Sequence, residues 1–514
     1  MKIILAVLAG ASLVSAVAAC GDDGGMEHPD AAAVPDGAPD GPVALRITPP
    51  QADVLTCTKQ QYATNDVATP AGAWSADRGS ISATGLYSAP LSTASGTAAE
   101  ITYTPGTGAA VHATATLATA FLGAPTTIAT GYLDDGTPYE HVVQVSGNRV
   151  YAVFPAADGV TVMRSDDGGA TFTAKPSLAI AGAKCATAAI DAGNPDVLYV
   201  VTHHSSGPRT SVTLHVSEDG GATFPAAKTY VVGDSVLDGL VNAICPDVTS
   251  PSADHVVVAT GAQTSDQSAS WAALYVAGAR GADIGTGVGT NSADYYSPAD
   301  VNQVNRFTDG SVLSDGGQYG PRVFTNGTGT VCTTYSVDSG SCAGGTSCNR
   351  HYVQCSTTSG AMWSAPRLLA SSAPATYPTG SISPSGSVAV TWVDRVGGED
   401  RLELAISRDR GATFAAPVQH PFDAAMFGYT SAPVVAWQGD ILWFEETTSG
   451  SDQPRIVIDK TCDFGTTWSG VVPVTEGSDY VGAGLLVTPT RVFAIGRNLR
   501  DAANRPLSLL PLTH

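Results

Sequence analysis

Eight residues, SDDGGATF at 165–172, return along this chain, and their recurrence constrains the fold more than any other feature. SEDGGATF occupies 217–224 and SRDRGATF 407–414, with a looser copy, TCDFGTTW, at 461–468 and a decayed one, STTSGAMW, at 356–363. The shared pattern is Ser/Thr-x-Asp-x-Gly-x-Thr-Phe/Trp. Short alternating apolar runs precede the copies, so each sits where one strand turns into the next. In such a turn Asp167, Asp219, Asp409 and Asp463 accept hydrogen bonds from nearby backbone N–H groups. The glycine supplies a positive φ, and the closing aromatic ring is suited to burial between neighbouring sheets. Every part of the motif has a folding role.

Composition places those turns in an all-β, exported class. Of 514 residues only 14% are charged, glycine numbers 56, and β-like runs are short and frequent. Forty-six acidic against 25 basic residues leave a net charge of −21, which argues against nucleic acid or an anionic membrane surface as main partner. No Gly-rich phosphate loop, His-Glu-x-x-His or Gly-x-Ser-x-Gly motif occurs, and no cofactor or metal is expected.

The N-terminus reads as an address followed by a spacer. Lys2 precedes an apolar run at 3–17, and VAAC at 17–20 resembles a lipobox, so residues 1–20 are expected to be a lipoprotein signal peptide with Cys20 as the lipidated residue. That anchor would attach the chain to the bacterial envelope, at the outer membrane or cell surface, without spanning the membrane. Residues 21–42 form an acidic Pro/Ala/Gly tether too poor in apolar residues to order itself. Residues 43–119 are expected to form a small β-sandwich. Within them WSADRGSISATGLYSAP at 74–90 resembles bacterial Ig-like domains.

From 120 to 514 the chain repeats. Seven apolar strands begin at Val150, Val197, His255, Thr330, Ser387, Asp440 and Arg491, mostly 47 to 58 residues apart with one interval of 75. This spacing suits propeller blades, seven as first choice and six as second, with residues 126–128 able to complete the last sheet. Tyr319, Tyr377, Tyr429 and Tyr480 precede the last four strands and mark a further element, expected to be the innermost strand. Setting Cys20 aside leaves eight cysteines in an oxidising compartment. Cys332 and Cys355 flank a hairpin that also encloses Cys342 and Cys348, so the nested pairs 332–355 and 342–348 are consistent. Cys185 and Cys245 fall on neighbouring blades, and Cys57 and Cys462 remain, a candidate link between the two folded regions.

The repeated motif resembles the Asp-box, or BNR repeat, of sialidase-like β-propellers. The resemblance implies boxes on the outer rim, away from a ligand pocket. It also implies a catalytic set of three arginines, a Tyr–Glu pair and an Asp acid/base. The family's Arg-Ile-Pro motif occurs nowhere, and Arg149 and Arg164 are the only arginines between 121 and 165. Tyr480, Asp247, Glu445 and Glu446 are the candidates for the remaining catalytic roles, the two glutamates following a strand as solvated carboxylates and Asp247 having turn capping as its alternative. Arg322 is a candidate anion contact, with a surface or loop ion pair as its alternative. Three readings stay open. In order of preference they are a glycan-binding propeller using Tyr319, Arg322, Tyr377, Tyr429 and Tyr480, an exo-sialidase or other glycoside hydrolase with a diverged pocket, and a protein-binding scaffold.

Overall fold

The computed structural model describes residues 44–513 apart from 67–71, 94–95, 131–142, 157–158, 177, 181–184, 207–208, 235–239, 265–269, 278–317, 339–348, 361, 373–377, 397–398, 422–427, 430–432, 450–453, 476–479, 489–490 and 499–505. The described residues are all-β, with no α-helix among them, and Arg46–His514 make one compact unit.

At its N-terminal end lies a small β unit. Gln51–Leu55, Val111–Ala118, Ala98–Thr104 and Ala73–Ala76 form a four-stranded sheet, and Lys59–Gln61, Leu86–Ser88 and Ser80–Ile81 a three-stranded one. Alternation in Ala98–Thr104 buries Ala99, Ile101 and Tyr103, as a half-buried strand requires. Tyr62, Tyr87 and Leu117 complete that core.

Seven sheets follow, named A to G here. Each of the first five is a meander taken in chain order. Sheet A comprises Val143–Ser146, Arg149–Ala156, Gly159–Ser165 and Thr173–Ala174; sheet B comprises Cys185–Ile190, Leu198–Ser206, Arg209–Ser217 and Ala226–Asp234. Sheet C has Leu240–Thr249, Val256–Thr264 and Ser270–Ala277; sheet D has Gln318–Thr325, Val331–Asp338, Asn349–Ser356 and Arg367–Ser372. Sheet E has Thr379–Ile382, Val388–Val396, Glu399–Ser407 and Val418–Gln419. In sheet F, Gly428–Tyr429 and Val434–Gln438 both pair with Ile441–Ser449, followed by Pro454–Thr461 and Val472–Pro473. Sheet G runs Tyr480–Val487, Val492–Asn498 and Leu507–Pro511, and its fourth strand is Thr126–Ala129 from the other end of the chain. The seven apolar runs seen in the sequence are the second strands, Val-rich because they are buried on both faces.

Neighbouring sheets bury their faces against one another. Tyr151, Val153, Val160 and Val162 of A meet Ala186, Ala188, Leu198 and Val200 of B. Comparable clusters join C to D, D to E, E to F and F to G. One more cluster joins G to A, with Phe493, Ile495 and Leu509 against Val150, Ala152 and Phe154. The leading strands touch in the same succession, A to B through to G, and G touches A.

The Asp-boxes occupy the turns after the third strands. In the first, Ser165 Oγ donates to Asp167 Oδ1 at 2.6 Å and accepts the Gly169 N–H at 2.9 Å. Asp167 then accepts the Thr171 N–H at 2.9 Å and the Thr171 hydroxyl at 2.6 Å. Asp219, Asp409 and Asp463 repeat this arrangement with Thr223, Thr413 and Thr467. In the decayed copy Thr358 stands in for the aspartate, its Oγ1 accepting the Met362 N–H at 2.9 Å. Each closing ring packs in the seam with the preceding sheet: Phe172 in G–A, Phe224 in A–B, Phe414 in D–E and Trp468 in E–F. Gly169 is required for proximity as well as for its φ of +89°, because a β-carbon there would come 2.7 Å from Leu509 Cδ1 of sheet G.

Three disulfides join described residues: Cys332–Cys355 between adjacent strands of sheet D, Cys185–Cys245 between sheets B and C, and Cys57–Cys462 between the N-terminal unit and the box of sheet F. Cys342, Cys348 and Cys20 lie outside the described residues, as do residues 21–42.

Candidate functional site

The leading strands share a sequence device that the tyrosine series conceals. Four of them carry a proline at or just before their pairing: Pro246-Asp247, Pro321-Arg322, Pro378-Thr379 and Pro433-Val434. In sheets C and D the pairing register shifts at that point, between Ile244 and Asp247 and between Tyr319 and Arg322. A bulge is where a strand tolerates a residue with no N–H to donate. The freed carbonyls and side chains stitch neighbouring sheets together. Thr187 Oγ1 of B donates to the Pro246 carbonyl at 3.2 Å, and Thr334 Oγ1 of D to that of Pro378 at 2.7 Å. Thr379 Oγ1 of E donates to the Pro433 carbonyl. Asp247 Oδ2 accepts the Val323 N–H of D at 2.9 Å.

On the box side of this belt, the leading strands of all seven sheets line one cavity of about 550 Å³, with Ser146, Ile190, Val248, Arg322, Thr379, Val434 and Leu486 each contributing from a different sheet. Arg322 is the one cation among its lining residues and is 6% exposed. Asp191 is the one anion, and it is committed to the fold. It accepts the N–H groups of Gly193, Asn194 and Asp254 and the Tyr199 hydroxyl, all within 3.0 Å.

Three candidate tyrosines stand at the end of the leading strands farthest from the boxes. Their backbones show this by register: Tyr319 is opposite Ser336, Tyr429 opposite Thr448 and Tyr480 opposite Asn498. Those partners lie five or six residues beyond Val331, Leu442 and Val492, which sit at the box end of the second strands. Tyr377 falls outside the described residues.

Around the same level the second strands bury polar groups, which sequence reasoning missed. His203, Ser336, Thr447 and Arg497 are each no more than 6% exposed. Ser336 Oγ hydrogen-bonds His351 Nδ1 at 2.8 Å, and burial pulls the His351 imidazole down to about 4, so it is neutral. Arg497 is paired across the ladder with Val481, next to Tyr480. Its signal in the sequence is only that it ends an apolar strand at the position Ser336 holds in sheet D.

The catalytic candidates sit differently from the expectation. Glu445 and Glu446 do not follow a strand toward solvent; they lie within Ile441–Ser449 and are each 2% exposed. Burial raises the Glu446 carboxyl well above its usual value, with the Thr447 N–H opposing and Glu445 adding to the rise. Successive strand residues face opposite sides of a sheet, so these two carboxylates do not confront each other across a pocket. Asp247 is no turn cap. Its Oδ1 accepts the Val248 N–H at 2.9 Å while Oδ2 takes Val323, which makes it a tie between leading strands. Arg322 is no surface ion pair but part of the cavity wall. Among the described residues no group of three or more His, Cys, Asp or Glu side chains is placed to hold a metal ion.

The fold therefore defines a class: an all-β chain of successive antiparallel meanders whose leading strands share one cavity. No family model matches the sequence, and no curated protein matches it. Among solved structures the chain is similar to the Fusarium graminearum α-L-arabinofuranosidase Arb93A, at 11% identity over 76% of this chain and 97% of that one, TM-score 0.40. It is similar to a PL25 ulvan lyase at 8% identity over 76% and 96%, TM-score 0.47. It is also similar to the Hadza microbial sialidase Hz136 at 12% over 69% and 74%, TM-score 0.39. Likeness at this level assigns no activity.

Proposed function

We propose that sheets A to G are the blades of a closed seven-bladed Asp-box propeller that binds glycans at the mouth marked by Tyr319, Tyr377, Tyr429 and Tyr480, with the N-terminal unit as an Ig-like sandwich. The observation that carries the reading is the shared lining: every sheet contributes its leading strand, Arg322 stands in the wall, the cavity occupies the box end of those strands, and the tyrosine backbones lie at their other end, where the glycan is proposed to enter. The G–A cluster and the strand Thr126–Ala129 support closure of the ring, which removes exposed sheet edges.

Tyrosine suits the task. It offers a flat apolar face to a sugar ring and a hydroxyl to its edge, and few torsions must be frozen. Arg322 supplies donors in a fixed fork for hydroxyls or a polar substituent, while the net charge of −21 disfavours a strongly anionic polymer. Binding is preferred to hydrolysis because Glu445 and Glu446 are buried on opposite faces and Asp247 is engaged by two backbone N–H groups. We place the protein on the bacterial envelope, held by a lipid on Cys20 through the tether at 21–42.

Glycan-array binding by the folded chain, lost in Arg322→Ala and Tyr480→Ala but kept in Asp409→Ala, is the expected result. Turnover of a 4-methylumbelliferyl glycoside that Tyr480→Phe abolishes would make the protein a hydrolase instead. Detergent partitioning tests the anchor: Cys20→Ala is expected to leave the membrane fraction, and an unchanged distribution would remove the lipid from the account.

A further inference from the structure

The N-terminal β unit grips two sheets at once. On sheet F it is bonded through Cys57 to Cys462, the second residue of that sheet's Asp-box. Two hydroxyls, Ser92 Oγ and Thr119 Oγ1, converge on one carbonyl at the end of the same box, that of Ser469, each at 3.4 Å. On sheet G the grip is through the main chain. Phe121 N–H donates to the Leu512 carbonyl at 2.9 Å and Gly123 N–H to that of Pro511 at 3.0 Å, after which Thr126–Ala129 enters the sheet as its fourth strand. Leu55 and Ala120 pack against the core shared by F and G, beside Trp443, Ile456, Val492 and Leu512.

We infer that this unit is a covalent clasp across the F–G seam rather than a free spacer, and that the Cys57–Cys462 bond is its redox-sensitive catch. Accessibility distinguishes this bond from the one within sheet D. Cys57 and Cys462 are both half-buried, whereas Cys332 is 0% and Cys355 6% exposed. A dithiol reductant therefore reaches the clasp before the bond within sheet D. Its thiolate attacks one sulfur to form a mixed disulfide, its second thiolate resolves that bond, and the products are the Cys57 and Cys462 thiols and the reductant's cyclic disulfide. With the catch open, the contacts that still hold sheet F include two hydrogen bonds at the long end of the range and the apolar contact of Leu55 and Ala120. The strand that completes sheet G is then joined to a unit no longer covalently held to sheet F. This inference holds whatever the mouth binds.

The test is hydrogen exchange on the full chain before and after graded dithiothreitol under native conditions, with alkylation and mass spectrometry to identify the thiols released. Cys57 and Cys462 are expected to be alkylated before Cys332 and Cys355. At that stage amides in 126–129 and 507–511 are expected to exchange at least tenfold faster, while those in sheet D are unchanged. The double variant Cys57→Ser/Cys462→Ser should reproduce the faster exchange without reductant. Reduction of Cys332–Cys355 first, or exchange in 126–129 and 507–511 within twofold of the oxidised chain once the clasp is open, would overturn the inference.

Discussion

Asp247 and Val323 are joined across the seam between sheets C and D, the carboxylate Oδ2 accepting the Val323 N–H at 2.9 Å. The other oxygen takes the Val248 N–H, so one buried side chain satisfies two strands beside Arg322. Asp247→Ala would leave both donors unpaired in a dry seam and is expected to lower unfolding free energy by about 2–4 kcal/mol. Asp247→Asn, which keeps one acceptor, should lose about half of that. Urea unfolding of both variants checks this; an alanine variant as stable as the parent would mean that water or a neighbour replaces the carboxylate.

The boxes make the fold acid-sensitive over a defined interval. Hydrogen bonds from Thr413 and Ser407 hold the Asp409 carboxyl down at about 2, and Asp219 also lies at about 2, where burial opposes the lowering and Thr223 and Ser217 produce it. A depressed folded value means that the unfolded chain takes up the proton first. This stabilisation is complete above the ordinary aspartate value near 3.8 and fades as pH falls toward 2. Asp409→Ala is expected to cost about 1–2 kcal/mol at neutral pH. An acid titration followed by circular dichroism should show a shallower loss for that variant between pH 4 and 2. Parallel titrations would count against the boxes as the acid-labile element.

Lys460 gives the opposite slope. Its ammonium is fully buried over the Trp443 ring, Nζ 4.7 Å from the centroid, and burial lowers it to about 7 against the weaker pull of Asp459. Between pH 7 and 10.5 the unfolded chain holds a proton that the folded chain lacks, so this group makes stability rise with pH across that interval. Lys460→Met removes the burden. The variant should melt higher than the parent at pH 7, with the advantage shrinking toward pH 10. Thermal melts across that range decide it, and a gain that does not vary with pH would contradict the assignment.

The architecture was legible where backbone demands repeat. The boxes show in sequence because the Ser, Asp, Gly and Thr of each motif have separate jobs in one turn, and the second strands show because burial on both faces leaves Val-rich runs such as 197–201. Pro246, Pro378 and Pro433 were equally visible as letters, yet their meaning depends on which strand of another sheet reaches their carbonyls. Glu445 and Glu446 were misread for a related reason. A strand that continues past its apolar run carries polar residues into the interior, and periodicity alone cannot distinguish that from a strand ending in solvent. Residues 74–90 pointed to β structure near the N-terminus, but the attachment of that unit to sheet F rests on a bond spanning 405 residues that no local pattern encodes.

The central claim is that the mouth of the leading strands, and not the boxes, binds a glycan. Its most direct test is isothermal titration of the best array ligand into the parent, Arg322→Ala, Tyr480→Ala and Asp409→Ala, each first shown to be folded. The account predicts at least tenfold weaker binding for Arg322→Ala and Tyr480→Ala and an unchanged affinity for Asp409→Ala. Unchanged affinity in both mouth variants, or loss confined to the box variant, would contradict it.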